Sequence, residues 1–300
     1  MQDFIQHMIN GISLGSIYAL IALGYTMVYG ILQLINFAHS DVYMMGAFAA
    51  YYSARIMGMN ESPGITTLVT LLLASMFACS VLGLAIERFA YRPLRKAPKL
   101  NILITAIGVS LFLQYFGQVV FGADPKVFPN VLEDTVIAEI AGVQLKSLDV
   151  AVLLVTVCMM LGLNFLIYKT KIGKAMRAVS TNMTVASMMG VNTDRIISFT
   201  FIVGSSLAGV GSVLVGMKYP KIEPLMGSMI GLKAFVAAVL GGIGSIGGAV
   251  LGGLIMGLSE EMVVGYFSST YRDALAFGIL IVILIFKPAG LLGKNSIEKV

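Results

Sequence analysis

The chain has 300 residues, of which 58% are hydrophobic and 12% charged, whereas soluble domains average about 45–50% and about 25%. At about 20 residues per crossing, that length accommodates roughly eight membrane spans and short loops. It leaves no room for a soluble domain, and the whole of 1–300 reads as one transmembrane unit. The net charge of +5 gathers in clusters, with no basic face interleaved with aromatics, which argues against nucleic acid as a partner.

The predicted elements are all helical: an all-α polytopic membrane protein with about eight transmembrane helices. The start, Met1-Gln2-Asp3, has no basic leader region, so the first apolar segment reads as a retained span. Spans are expected at about 9–30, 42–57, 65–87, 102–121, 150–168, 196–216 and 272–287. A shorter pair, glycine-broken or re-entrant, is expected near 229–258, with arms of about a dozen residues. Basic residues cluster at Arg88, Arg92, Arg95, Lys96 and Lys99, at Lys169, Lys171, Lys174, Arg177 and Arg195, and at Lys287, Lys294 and Lys299. Placing all three clusters in the cytoplasm sets the N-terminus and the acidic loop 122–148 outside and the C-terminus inside.

Where the first and second spans meet, Asn36, His39, Ser40 and Asp41 form a polar corner. Two roles are open to it: caps of the flanking helices, or part of a translocation path. Cys79 and Cys158 lie in apolar spans without metal or redox spacing and read as buried structural thiols. Two distant histidines make a metal site improbable on numbers alone.

The loop 169–195 carries two short helices by pattern. The first contains Gly173, Lys174 and Arg177. Asn182 caps the second, which runs over Val185, Ala186, Met188 and Met189 until Gly190 stops it in the left-handed region. Val185, Met188 and Met189 recur at i, i+3 and i+4, an apolar face outside the membrane suited to a groove on a partner protein, or else folded back on the bundle.

Small residues recur at helical spacing: Gly204, Ala208 and Ser212, then Gly244, Gly248 and Gly252, beside Ala249, Gly253 and Gly257. In lipid, close backbone approach over such stripes drives packing, within the chain or against a second subunit. The run Gly241, Gly242, Gly244, Ser245, Gly247 and Gly248 reads as a break in the helix, shielded by protein or lining a cavity. Lys233 either snorkels to the outer interface or lines the cavity beside that break, and Glu260 and Glu261 follow at the outer interface.

No nucleophile, HExxH or phosphate-cradling motif is present; Gly293-Lys294-Asn295 lacks the upstream glycine and the Ser/Thr of a P-loop. The chain reads as a non-enzyme without a cofactor of its own, so driven transport needs another subunit or an ion gradient. An ion-coupled secondary transporter, the reading from another class, needs intramembrane carboxylates. Asp41, Glu87, Glu260 and Glu261 all fall near span ends, which disfavours it.

Several blocks, in order, resemble the permease subunits of bacterial branched-chain amino acid ABC importers: Gly24-Tyr25-Thr26-Met27-Val28-Tyr29-Gly30, Ile35 to His39, Gly173 to Arg177 with Gly190-Val191, Gly231 to Phe235, Gly241 to Ser245, and Pro288 to Gly293. The resemblance implies an ABC importer permease fold in the bacterial inner membrane. It implies a second homologous permease, two cytoplasmic ATPase subunits that bind the ATP and Mg, and a periplasmic substrate-binding protein. It assigns the ATPase-coupling helix to 169–195 and leucine, isoleucine and valine as substrates, with urea or short amides as the alternative within the same family. Asn36, His39, Asp41, Lys233 and the glycine break become the candidate path. Ser40 stands where that family usually has Gly, so an altered turn is expected there.

Overall fold

The structure, a computed structural model, describes residues 2–33, 35–59, 62–95, 97–140 and 142–293. Lys96, Lys294, Asn295 and Lys299 of the sequence reading lie outside the described residues. Eleven α-helices follow one another among them: α1 Gln2–Leu32, α2 His39–Ile56, α3 Ile65–Ile86, α4 Lys99–Phe121, α5 Ser147–Lys169, α6 Lys171–Thr181, α7 Met183–Met188, α8 Thr193–Lys218, α9 Met226–Gly241, α10 Ile246–Tyr266 and α11 Arg272–Phe286. Seven are long and apolar enough to cross a membrane, α3 continuing through a π turn (Glu87–Tyr91) and a 3-10 turn to Leu94. The chain is a multi-pass membrane protein.

Helices α1 to α5 and α8 to α11 run alternately between two ends. The basic clusters, the α1–α2 connection, the α9–α10 turn and the tail meet at one, here the basic end. There Asp194 pairs with Arg92 and Arg95, Tyr91 bonds Asn36, and Leu292 bonds Gly241. The start of α1 and the acidic loop meet at the other, where Gln6 and Gln144 exchange hydrogen bonds.

Helix α1 is the axis of the fold, with every residue from Ser13 to Val28 buried. Helix α10 lies directly on it. A Cβ at Gly257 would meet the Gly15 nitrogen at 2.2 Å, and one at Gly253 the Ala19 nitrogen at 2.5 Å. Gly248 and Gly252 turn instead toward α9, and Gly204 of α8 faces Gly24 of α1. The small-residue stripes therefore pack helices of the same chain. In lipid, where apolar area gives little drive for association, such contacts replace the hydrophobic effect. Helices α4, α5 and α11 keep large side chains such as Phe112, Phe165 and Ile285 exposed along their outer faces.

Four details depart from the sequence reading. The break is a turn at 242–245, where only Gly242 and Gly244 take positive φ (104° and 94°). Its arms are 16 and 21 residues long rather than about a dozen, because Gly247, Gly248, Gly252, Gly253 and Gly257 stay helical. The packing they permit on α1 and α9 outweighs their poor helix propensity. At the far end β2 (Val136–Ile140) and β3 (Val143–Lys146) form a hairpin, and β1 (Lys126–Val127) pairs antiparallel with β4 (Lys221–Ile222). Cys158 is exposed on the outer face of α5, whereas Cys79 is buried as expected. Finally, Glu260 and Glu261, expected at the outer interface, are enclosed by protein on α10.

Candidate functional site

Blocks far apart in sequence converge at the basic end. After α1 the chain passes through an irregular connection in which Gln33 adopts φ 52°, and α2 starts already inside the bundle. His39, 1% exposed, lies with its ring 4.7 Å from that of Tyr25. It occupies the space a side chain at Gly24 would need, since a Cβ there would fall 2.3 Å from Nε2. Phe235 of α9 joins them, with ring centroids 6.1 Å from both Tyr25 and Phe37. Tyr91 donates to Asn36 Oδ1 at 2.7 Å, and Gln114 donates to Asp41 Oδ1 at 3.0 Å.

The capping role for Asn36 and Asp41 is not what the structure shows. Ala38 occupies the cap of α2 and no side chain bonds there, because both polar side chains are turned toward α3 and α4. Both ring nitrogens of His39 and Asp41 Oδ2 have no protein partner. Ser40 is a helical residue of α2 and does not take positive φ. Its Oγ donates to Phe37 O, and its Cβ fills the space over Gly231.

The α9–α10 turn is fixed from two sides. Ser245 caps α10, its Oγ accepting from Gly248 N at 3.1 Å. Residues 288–293 fold back over the end of α9, where Leu291 N donates to Leu240 O at 2.8 Å and Leu292 N to Gly241 O at 2.9 Å. Helix ends leave such carbonyls without partners, and the tail supplies them. Gly242 is required here, since a Cβ on it would meet Gly293 N at 2.4 Å.

Beside this turn opens a cleft of about 470 Å³. Gly244, Ser245 and Ile246 form one wall, Met27 and Gly30 of α1 a second, and Met176 and Arg177 of α6 a third. Helix α6 is anchored by Thr170, whose Oγ1 accepts from Gly173 N at 3.0 Å. It is held further by Arg177, which donates to Ile167 O, and by buried Met176 and Val179. A Cβ at Gly173 would strike Ile167 O at 2.2 Å, so α6 lies hard against the end of α5. Lys174 is exposed on the opposite face.

Asn182 then caps α7, its Oδ1 accepting from Val185 N at 3.0 Å, and Gly190 ends it at φ 83°. Ala186 is buried, but Met188 and Met189 are 80% and 79% exposed and Val185 54%. The apolar face of α7 is not folded back onto the bundle.

Lys233 sits elsewhere. It is buried on α9, two turns from the break and outside the cleft, and pairs with Glu260 at 3.1 Å and Asp273 at 2.8 Å. Glu260 also forms an ion pair with Arg272 at 3.0 Å and accepts from Tyr18 OH at 2.8 Å. Neither snorkelling nor lining of a cavity beside the break describes it; the carboxylates opposite hold it inside the protein. Tyr18, Arg272, Asp273, Tyr91 and Gln114 escaped sequence reasoning. None stands out until the helices are assembled, Tyr91 lying between two expected spans and the others within spans or at their ends, and only the unmatched charge of Lys233 hinted that partners existed.

The profile of the family described as "branched-chain amino acid transport system / permease component" matches residues 7–284. The branched-chain amino acid permease protein BraD of Pseudomonas aeruginosa is 42% identical, with 99% of this chain and 98% of that protein covered. LivH of Escherichia coli K12, a high-affinity permease of the same description, is also 42% identical over the same shares. A probable LivH from Methanocaldococcus jannaschii is 29% identical over 93% of this chain and 90% of its own length. With that match across nearly the whole sequence, the chain belongs to the branched-chain amino acid transport permease family.

Proposed function

We propose that this chain is the membrane gate of an ATP-driven importer for leucine, isoleucine and valine. A second homologous permease would complete the pathway, two cytoplasmic ATPases would bind the ATP and Mg, and a periplasmic protein would deliver substrate. The single observation that carries the reading is the arrangement of loop 169–195. Helix α7 offers Val185, Met188 and Met189 to solvent, while α6, one residue before it, forms a wall of the cleft at the glycine turn. A knob outside the membrane is thereby joined to a movable connection between two membrane helices.

Charge supports the orientation. Basic loops remain cytoplasmic, so the N-terminus is periplasmic, the C-terminus cytoplasmic, and α7 lies on the side where ATP is found. Flexible methionines suit a groove on the ATPase. Near-complete switching between two states needs about 5.5 kcal/mol of differential binding, which nucleotide-driven closure of a partner can supply and which this chain, without a phosphate-binding loop, cannot. Movement of α7 would pull α6 against the turn at 242–245 and against the α1 residues opposite. Gly241, Gly242, Gly244 and Ser245 are the residues we place at the gate. The corner at Asn36, His39 and Asp41 is joined to it through Tyr25 and Phe235. Branched aliphatic side chains are the substrate class that the BraD and LivH names support.

The test is reconstitution of the complete complex in liposomes. ATP together with the binding protein is expected to drive leucine uptake, and Val185→Asp with Met188→Asp should abolish both uptake and retention of the ATPases. Uptake by this chain alone under an ion gradient would overturn the proposal.

A further inference from the structure

Helices α3 and α8 carry matched faces that change character toward the basic end. On α3 the exposed residues Val81 and Leu84 lead to Arg88 in the π turn. On α8, running the opposite way, Ile202 and Phe199 lead back to Arg195. The two helices are in contact along this seam, with Ser80 Oγ donating to Ile202 O at 3.4 Å. Beside this seam lies a cleft of about 410 Å³, with Phe199 and Ile202 on its apolar side and Arg88, Arg92, Arg195 and the carboxylate of Asp194 also lining it.

The charges there do not balance. Arg92 and Arg95 are engaged by Asp194, and Arg95 also by buried Glu87. Glu87 is further satisfied by Ser198 Oγ at 2.6 Å. Arg88 and Arg195 are exposed and have no carboxylate partner among the described residues. Two guanidinium groups thus stand free where an apolar groove reaches the interface. Phe89 beside Arg88 is 81% exposed.

We infer that this cleft binds one anionic phospholipid, its phosphate between Arg88 and Arg195 and its acyl chains leaving along Phe199 and Ile202. Guanidinium groups suit phosphate because their donors match its oxygens in pairs. Basic pockets between transmembrane helices are a recognised setting for such headgroups. A free phosphate would leave the apolar side of the cleft unused. A lipid in this seam also touches the N-terminus of α8, directly after the α6–α7 loop, so its presence would stiffen the base of that loop.

The experiment is native mass spectrometry of the purified permease with its associated subunits. Phosphatidylglycerol and phosphatidylcholine of identical chains are added in turn, then phosphatidylglycerol with inorganic phosphate as competitor. One phosphatidylglycerol should be retained in preference to phosphatidylcholine. Arg88→Gln with Arg195→Gln should weaken retention about twenty-five-fold, at roughly a factor of five per arginine. Arg88→Lys with Arg195→Lys should keep most of it, and this pair is the control for folding. If the glutamine pair does not fold, Arg195→Gln alone should give about a fivefold loss. Equal retention of both lipids, or no loss in the glutamine variants, overturns the inference. So does displacement by phosphate at concentrations comparable to the lipid. Loss of the ATPases from the glutamine pair with lipid retention unchanged would assign the arginines to a protein contact instead.

Discussion

Ser40 and Gly231 share one site. An ideal Cβ at Gly231 would lie 2.1 Å from that of Ser40, so α2 and α9 can carry one side chain between them at this point but not two. Gly231→Ala is expected to destabilise the protein by about 1–3 kcal/mol through overpacking. Adding Ser40→Gly should recover most of that loss, with a coupling above about 0.5 kcal/mol in a thermal-unfolding cycle. Additive effects would show that the helices simply move apart. The charges around Glu260 obey a different rule. Glu260 is 1% exposed and is satisfied by Lys233, Arg272 and Tyr18 together. Removing one partner of a buried pair strands the other. Lys233→Met should therefore lower stability by about 3 kcal/mol, and Lys233→Met with Glu260→Met should cost less than the sum of the single changes. Both are read from unfolding of the purified protein.

The short helices of the loop depend on local bonds more than on packing. Removing the cap with Asn182→Ala should cost about 1 kcal/mol and raise amide exchange across 183–188 while leaving α6 protected. The tail works at longer range. A chain ending at Lys287 would leave Leu240 O and Gly241 O without the donors at Leu291 and Leu292, at about 1–3 kcal/mol for each buried acceptor left unpaired. Faster exchange at the end of α9 and the start of α10 would report it. These two cases mark what could be read in advance. Asn182, Gly190 and the basic run around Lys174 form signals spanning a few residues, so α6 and α7 are visible in the sequence. The length of α10 is not, because its glycines argue locally against helix and only α1 and α9 make them favourable. The β2–β3 hairpin was equally hidden: Val143, Gln144, Leu145 and Lys146 alternate, but inside a polar loop of a membrane protein that pattern is faint.

Across the whole molecule, hydropathy and the positions of arginine and lysine were enough to lay out the alternating helices and bring the basic segments to one end. Which polar residues meet was beyond them, since Asn36 with Tyr91 and Lys233 with Asp273 are pairings of tertiary structure. The assembled chain has α1 at its centre, clasped by α8 and α10, and α6, the glycine turn and the tail meet at the basic end. Everything proposed for its action requires α7 to face the ATP-containing compartment and to be covered there by a partner. Cysteine introduced at Met188, in a variant with Cys158→Ser, can be challenged with a membrane-impermeant maleimide in vesicles of each orientation. The account predicts labelling in inside-out vesicles only, and protection once the ATPases are bound; labelling in right-side-out vesicles would contradict it.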